Sequence, residues 1–306
     1  MCALSYRECY GESSLHGGVQ SGVMQMKIQS IANLIEEYAP YSTGVPGDKL
    51  GLLAGDPDAD AAGVVTCWSP TLAVLDEAAR LGANMVISHE PLTWRVCGRD
   101  PEANLEWYSE RHPTAKIPNQ KRMQFIFAHG LSVYRYHSNW DWAPNYGMVD
   151  MLAKRLDLGT TVEGEAFAPV YVIPPTTARD LLLQARKNLQ TGPFRVVGDP
   201  ERVVTRVAIC QGGFGQMFTF AEVALRGGAK LAFFGEMLDY TIRYCVATNL
   251  SVIELGHYTS EDPGMLGMCE FLRERLPHDI PVTHVHSGEP WDYLPQEYPL
   301  GTGESK

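Results

Sequence analysis

Apolar positions follow two different periods along the first half of the chain. Residues 28–38 carry apolar side chains at helical spacing, which predicts an amphipathic helix that ends before Pro40. The β-branched run at residues 63–67 predicts a buried strand, and residues 85–87 predict a second one. Between them, residues 69–70 (Ser-Pro) are expected to open a helix. This strand–helix–strand order favours a mainly parallel sheet.

The second half of the chain continues this rhythm. A strand is predicted near Val170, followed by a helix that Thr177 and Asp180 would cap. A last helix is expected after Pro263. Further apolar runs predict strands at residues 207–209, 231–234 and 252–255.

These elements predict an α/β fold in which two lobes with mainly parallel sheets pack together. Residues 26–160 form the predicted N-terminal lobe, and residues 161–306 form a C-terminal lobe that completes the same site. Residues 1–25 contain many glycines and serines and lack the apolar stretch of a signal peptide. We interpret this segment as a disordered leader.

Composition narrows the class of partner and the compartment. The 306 residues carry a formal net charge of -11, so nucleic acid, which binds basic surfaces, is not an expected partner. No apolar stretch is long enough to span a bilayer, and no membrane association is predicted. The seven cysteines are scattered without a C-x-x-C pair, which is typical of reduced thiols in a cytoplasmic protein.

Three polar segments directly follow predicted strands, which are at residues 85–87, 132–136 and 252–255. The segments are residues 88–91 (Ser-His-Glu-Pro), 137–141 (His-Ser-Asn-Trp-Asp) and 256–261 (Gly-His-Tyr-Thr-Ser-Glu). Because the carboxyl ends of parallel strands meet at one edge of a sheet, we expect these segments to line one crevice.

These segments contain a set of metal-ligating side chains. Imidazole and carboxylate groups together bind Zn²⁺, Fe²⁺, Mn²⁺ or Co²⁺. Neighbours such as His89 and Glu90 point apart in an extended chain and could serve different ions. A carboxylate of Asp141 or Glu261 could bridge ions roughly 3.5–4 Å apart. The sequence therefore predicts that these segments hold two divalent metal ions.

The order of these motifs resembles that of the NIF-three-like family, from about Met26 to Leu294. The chain lacks a large central insertion, as do the shorter members of that family. Four segments carry the resemblance: Asp48-Lys49-Leu50-Gly51-Leu52 with Gly55-Asp56 is similar to D-N-x-G-L…G-D, Ile87-Ser88-His89-Glu90-Pro91-Leu92 to I-S-H-H-P-L, His137-Ser138-Asn139-Trp140-Asp141 to H-T-N-L-D, and Gly256-His257-Tyr258 with Glu261 to G-H-Y-x-x-E.

The resemblance implies a dinuclear metal centre, a ring-shaped homohexamer and an activity like that of type-two GTP cyclohydrolase I. It places the metal ligands at five positions: the two adjacent histidines of the family fall on His89 and Glu90, its aspartate on Asp141, and its C-terminal pair on His257 and Glu261. Glu90 departs from the pattern. We interpret it as a ligand that favours harder ions, with a general base as the alternative.

Proton transfer is assigned to His137 and Tyr258. His137 could instead orient Asp141 or bound water, or simply end its strand. Asp48 is interpreted as a turn residue. His284 and His286 alternate on a late strand, and without a third ligand nearby in sequence they are interpreted as edge histidines.

Four tryptophans stand close to the motifs or at adjacent strand ends. We predict that they line a pocket for a flat small-molecule substrate, with core filling as the alternative interpretation. They are Trp68, Trp94, Trp140 and Trp142.

The sequence and the resemblance together predict a dinuclear-metal-dependent hydrolase that opens a C–N bond in a cyclic amide or cyclohydrolase-type substrate. Two alternatives remain open. One is a two-metal phosphoesterase, for which Arg95, Arg99 and Arg243 are the candidate phosphate contacts. The other is a non-enzymatic, metal-binding regulatory scaffold, which a closed ligand shell would indicate.

Overall fold

A computed structural model of the chain describes residues 26–93, 113–159, 162–165 and 168–291. The predicted leader at residues 1–25, together with Trp94, Arg95 and Arg99, lies outside these ranges. Across the described ranges, no helix is both long enough and apolar enough to cross a membrane.

The first sheet is built from short, apolar strands. They are Gly51–Ala54 (β1), Val64–Cys67 (β2), Met85–Ser88 (β3), Ser132–Arg135 (β4) and Val282–His284 (β11). Their order is β1-β4-β3-β2-β11, with β1 antiparallel to β4 and the other pairs parallel. Every residue of β2, β3 and β4 is buried, as expected for strands that are covered on both faces.

The second sheet has a parallel centre and antiparallel outer strands. Its strands are Val162–Glu163 (β5), Val170–Thr177 (β6), Arg195–Val197 (β7), Val203–Cys210 (β8), Leu231–Phe234 (β9) and Ser251–Glu254 (β10). The order is β5-β6-β8-β9-β10-β7, in which β8, β9 and β10 run parallel. The pairs β5–β6, β6–β8 and β10–β7 are antiparallel. The predicted α/β class is confirmed.

The helices connect and cover the strands. They are Ile28–Tyr38 (α1), Leu72–Arg80 (α2), Pro113–His129 (α3), Ser138–Asp141 (α4), Met148–Leu156 (α5), Ala178–Leu189 (α6), Phe218–Arg226 (α7), Asp239–Ala247 (α8) and His257–Arg273 (α9). The predicted cap of α6 is confirmed, since the Thr177 hydroxyl accepts a hydrogen bond from the backbone N–H of Asp180 at 3.0 Å.

The predicted start of α2 was wrong by two residues. Thr71, not Ser69, caps this helix, and its hydroxyl accepts a hydrogen bond from the N–H of Val74 at 3.2 Å. Ser69 is held elsewhere: its N–H donates to the Ser287 hydroxyl, and its carbonyl accepts from that hydroxyl. This contact comes from a segment more than 200 residues away and is not visible in the local pattern.

Helix α9 begins at His257 and not after Pro263, which lies inside it. Gly256 has a φ of 97°, a conformation that glycine adopts easily, and it turns the chain from β10 into the helix. Pro263 removes one backbone hydrogen bond. The burial of Met265 and Phe271 in the core offsets that loss. His257 and Glu261 therefore lie one turn apart on one helical face.

The C-terminal segment returns to the first sheet. β11 pairs in parallel with β2, and α9 adds Met268 and Phe271 to the core cluster that contains Ile31 and Trp140. The division of the chain at residue 160 stays a prediction. The pairing of β11 with β2 brings α9 against the strand ends of the first sheet, where the polar motifs lie.

Candidate metal centre

Polar side chains from both sheets meet next to the start of α9. His89 and Glu90 follow β3, Asp141 ends α4, which begins just after β4, and His257 and Glu261 lie on α9 after β10. The structure brings all five predicted ligands together in two overlapping groups of three. Within each group, the potential ligand atoms lie within 4.8 Å of one another.

The first group, His89, Asp141 and Glu261, is buried. His89 Nε2 lies 3.7 Å from Asp141 Oδ1 and 3.4 Å from Glu261 Oε2. The other ring nitrogen, Nδ1, lies 3.2 Å from the carbonyl oxygen of Tyr136. Because only a protonated Nδ1 can donate to that oxygen, Nε2 carries the free lone pair.

Two buried atoms of this group have no hydrogen-bond partner, namely His89 Nε2 and Asp141 Oδ1. Buried polar atoms are normally hydrogen-bonded, and leaving them without a partner is unfavourable. Both atoms are electron-pair donors that face the same space. A cation bound between them would satisfy both, so the residues fit a metal ion.

The second group, Glu90, His257 and Glu261, is more open to solvent. His257 Nε2 lies 3.2 Å from Glu261 Oε2 and 3.8 Å from Glu90 Oε1. The Nδ1 atom lies 3.4 Å from Glu236 Oε1. Burial lowers the pKa of His257, but contacts with Glu236, Glu261 and Glu90 raise it to about 11. The imidazole thus lies in a strongly negative environment that would also attract a cation.

Glu261 belongs to both groups, and its carboxylate is held in place. Trp68 Nε1 donates a hydrogen bond to Oε2 at 2.8 Å. A β-carbon at Gly212, which has a φ of +56°, would overlap Oε1. The absence of a side chain at Gly212 therefore makes room for this carboxylate.

The two buried carboxylates differ in their electrostatics. Burial, together with the neighbouring charge of Glu261, raises the pKa of Asp141 to about 8. Burial acts on Glu261 in the same sense, but His89 and His257 outweigh it and hold the pKa well below the usual range. The cluster is therefore short of positive charge around Asp141.

His137 lies against this centre, with its ring centroid 4.6 Å from that of His89. His137 Nδ1 is 2.7 Å from Asp48 Oδ2, so Asp48 is a partner of the site and not only a turn residue. His137 also forms a ligand-competent group with His89 and Glu90. Both a proton-transfer role and an orienting role remain compatible with this position.

The Tyr258 hydroxyl contacts a histidine that is not one of the five predicted ligands. This hydroxyl lies 3.3 Å from His286 Nδ1, and burial with the nearby charge of Asp262 raises the pKa of the phenol. A raised pKa makes a phenol a poorer proton donor near neutrality. The structure therefore favours His137 over Tyr258 for proton transfer at the candidate centre.

The tryptophans have different surroundings. Trp68 contacts Glu261 and lies edge-on to the His257 ring at 5.4 Å between centroids, so it forms one wall of the centre. Trp142 stacks on Phe214 at 5.9 Å. Trp140 is fully buried, and its Nε1 donates to the carbonyl of Gly264. This burial replaces the predicted pocket role of Trp140 with the core-filling alternative.

Sequence reasoning missed one polar residue at the centre and one group of polar residues beside it. Glu236, which touches His257, follows strand β9, and that position at a strand end was the signal that could have found it. The group joins Asp262 to His284 and His286, the two residues interpreted as edge histidines. Its members lie far apart in the sequence, so local spacing could not reveal it.

The fold and the clustered side chains define an α/β protein with a ligand-rich crevice at its strand ends. Residues 26–290 match the sequence model of the Duf34/NIF3 (NGG1p interacting factor 3) family. The chain therefore belongs to this family, as the motif order predicted.

Individual relatives agree with this membership. The chain is 25% identical over 279 residues to a "GTP cyclohydrolase 1 type 2 homolog" of Clostridium perfringens, covering 88% of this chain and 100% of that protein. It is 27% identical over 265 residues to the protein of the same name in Escherichia coli K12, covering 86% and 95%. The crystal structure of the Staphylococcus aureus hypothetical protein SA1388 has the same fold, with a TM-score of 0.73 at 20% identity, over 88% of this chain and 99% of that one.

Proposed function

We propose that this protein is a dinuclear-metal-dependent hydrolase that opens a C–N bond in a flat small molecule. The observation that carries the proposal is the position of Glu261, which belongs to both ligand-competent groups. A carboxylate shared in this way suits the bridging position between two divalent ions. His89 and Asp141 would hold the buried ion, and Glu90 and His257 the more open one.

Divalent ions bound here would supply a water molecule of lowered pKa and polarise the bond to be broken. The residues of the chain would organise the rest of the reaction. Asp48 accepts from His137 Nδ1 and leaves Nε2 of that ring available for a proton at the crevice. Tyr136 fixes the orientation of His89 through its carbonyl oxygen.

The choice of a C–N bond rests on the relatives and on one wall of the crevice. Two relatives that cover most of this chain bear the name of a cyclohydrolase homolog, a type of enzyme that opens rings at C–N bonds. The Trp68 indole, beside His257, offers a flat surface suited to a planar heterocycle or cyclic amide.

The first test is metal content. Chelator-stripped protein reloaded with Zn²⁺ or Mn²⁺ is expected to carry an ion in each group, and Asp141→Ala or His257→Ala should remove most of this binding. Exposed His278→Ala is the matched control, because it removes an imidazole away from the crevice. Unchanged metal content in both crevice variants would overturn the site.

The second test is a screen of cyclic amides, purines and phosphoesters with the loaded protein. Turnover of the first two classes supports the proposal. Turnover of phosphoesters alone would replace it with a phosphoesterase, although Arg243, one candidate phosphate contact, pairs with Asp239 on the surface of α8. Metal binding without turnover of any class would favour a regulatory scaffold.

Assembly and compartment belong to the same proposal. We propose a homohexameric ring on the family resemblance alone, and a cytoplasmic location on the scattered cysteines. A monomeric mass in light scattering at micromolar concentration would contradict the ring.

A further inference from the structure

A second group of metal-ligating side chains lies beside the predicted crevice and shares no residue with it. Asp262 projects from α9, His284 ends β11, and His286 follows two positions later. Because alternate residues of an extended chain point to one side, both imidazoles face Asp262. Asp262 follows Glu261 directly, but adjacent residues on a helix project roughly 100° apart, so the two carboxylates face different groups.

The three side chains converge closely. His286 Nδ1 lies 2.7 Å from Asp262 Oδ2, and His284 Nε2 lies 3.2 Å from Asp262 Oδ1. One ligand atom from each residue falls within 4.8 Å of the others. A small shift of these groups around an ion would bring each atom to ordinary coordination distance.

One atom in this group lacks a partner. Asp262 is only 8% exposed, yet its Oδ1 accepts no hydrogen bond. A buried carboxylate oxygen normally accepts at least one. The Thr66 hydroxyl, 3.2 Å from His284 Nδ1, engages the far side of that ring and leaves Nε2 directed at Asp262. This is the arrangement in which a neighbouring group orients a metal-binding imidazole.

The group is also reachable. His286 has 70% of its side chain exposed, and it lines a cavity of about 480 Å³ together with Tyr258 and Arg155. Three protein ligands at the edge of a cavity leave coordination positions open to solvent or to a small ligand, as in metal sites that bind exchangeable groups.

We propose that Asp262, His284 and His286 form a separate site for one divalent transition-metal ion. Two imidazoles and one carboxylate suit Zn²⁺, Fe²⁺ or Co²⁺ better than Mg²⁺ or Ca²⁺, which prefer oxygen ligands. The rings of Trp68 and Tyr258 meet edge-on at 5.5 Å, with Trp68 hydrogen-bonded to Glu261 of the crevice and the Tyr258 hydroxyl next to His286. The site is independent of the hydrolase proposal, since it uses none of the same ligands.

Cobalt is the probe that tests this site. The full chain is stripped with chelator and titrated with Co²⁺, and bound metal is measured by elemental analysis and by the visible absorption of the ion. One series of titrations uses the double variant Asp141→Ala with His257→Ala, which removes metal ligands of the crevice. In that background we expect one Co²⁺ per chain to remain, and we expect His286→Gln to lose it.

His286→Gln is the main variant because its exposed side chain can change without disturbing the core. Asp262→Asn is the second variant, and exposed His278→Gln is the matched control, expected to keep the bound ion. Equal Co²⁺ content and an unchanged spectrum in both His286→Gln and Asp262→Asn would overturn the proposal. In that case the three residues form only a hydrogen-bonded brace.

Discussion

Asp48 is half-buried and Asp262 is buried, and both lie next to histidines, but their carboxylates accept hydrogen bonds to different degrees. Asp48 Oδ1 accepts from Arg135 at 2.6 Å, and Oδ2 accepts from the Ser138 hydroxyl at 2.6 Å and lies 2.7 Å from His137 Nδ1. Asp262 has histidines as neighbours, and its Oδ1 accepts no hydrogen bond.

The difference separates a structural carboxylate from one that can take a ligand. Both are aspartate–histidine contacts, so residue type alone would give them the same role. What distinguishes them is the number of lone pairs that protein donors already occupy. Asp48 has a cationic partner in Arg135, and both of its carboxylate oxygens have hydrogen-bond donors. Asp262 has a free oxygen, which a cation could fill.

The largest effect on stability is expected from a substitution at Asp48, because both oxygens of its carboxylate accept hydrogen bonds from the protein. Asp48→Asn removes the charge opposite buried Arg135 and should lower the free energy of unfolding by about 3 kcal/mol, measured by urea denaturation at pH 7. Asp279→Asn, at an exposed position, is the control and should change it by less than about 0.5 kcal/mol. Equal stability of the two variants would remove the structural role of Asp48.

The same variant has a pH signature. Burial would raise the pKa of Asp48, but the His137 hydrogen bond and the nearby charges of His137 and Arg135 hold it well below its usual range. A depressed carboxyl pKa stabilises the fold fully above the unfolded-state pKa of about 3.9. The stabilisation is lost as the pH falls further, so the gap between wild type and Asp48→Asn should narrow below about pH 4.

Glu261 offers the next test. Its carboxylate belongs to both ligand groups, whereas protein donors already occupy both oxygens of Asp48. Glu261→Gln should weaken both ions of the proposed crevice centre by about 100-fold or more, as measured by competition with a chelator. Glu270→Gln, on the exposed side of the same helix, is the matched control. Loss of only one ion would show that Glu261 does not bridge.

Glu90 should have a smaller and selective effect. As an oxygen donor it favours Mn²⁺ and Fe²⁺ over Zn²⁺, so Glu90→His should shift the Zn²⁺ to Mn²⁺ affinity ratio by about tenfold towards Zn²⁺. Glu90→Gln should weaken one ion more than the other, since Glu90 belongs with His257 and not with Asp141. Unaltered affinities in Glu90→Gln would place Glu90 outside the ligands.

Much of the candidate site could be predicted because its ligands follow strands that are visible as apolar runs. His89 comes after β3 and His257 after β10, and parallel strand ends converge. The extent of α9 could not be predicted, because Pro263 indicates a helix start when read locally. The Asp262 group was missed because β11 pairs with β2 across more than 200 residues, and no local pattern records that pairing.

The smallest effect on the free energy of unfolding is expected from a substitution at Asp262. In the metal-free protein the Asp262 carboxylate is buried with an unused oxygen, and contacts with His284 and His286 hold its pKa below the usual value although burial would raise it. Asn keeps the shape and can both donate and accept, so Asp262→Asn should change the free energy of unfolding by less than about 1 kcal/mol. Adding Zn²⁺ should then raise the melting temperature of the wild type more than that of the variant, because a ligand stabilises only the state that binds it. If Asp262→Asn instead costs as much as Asp48→Asn without metal, the two carboxylates have the same structural role and the contrast between them is wrong.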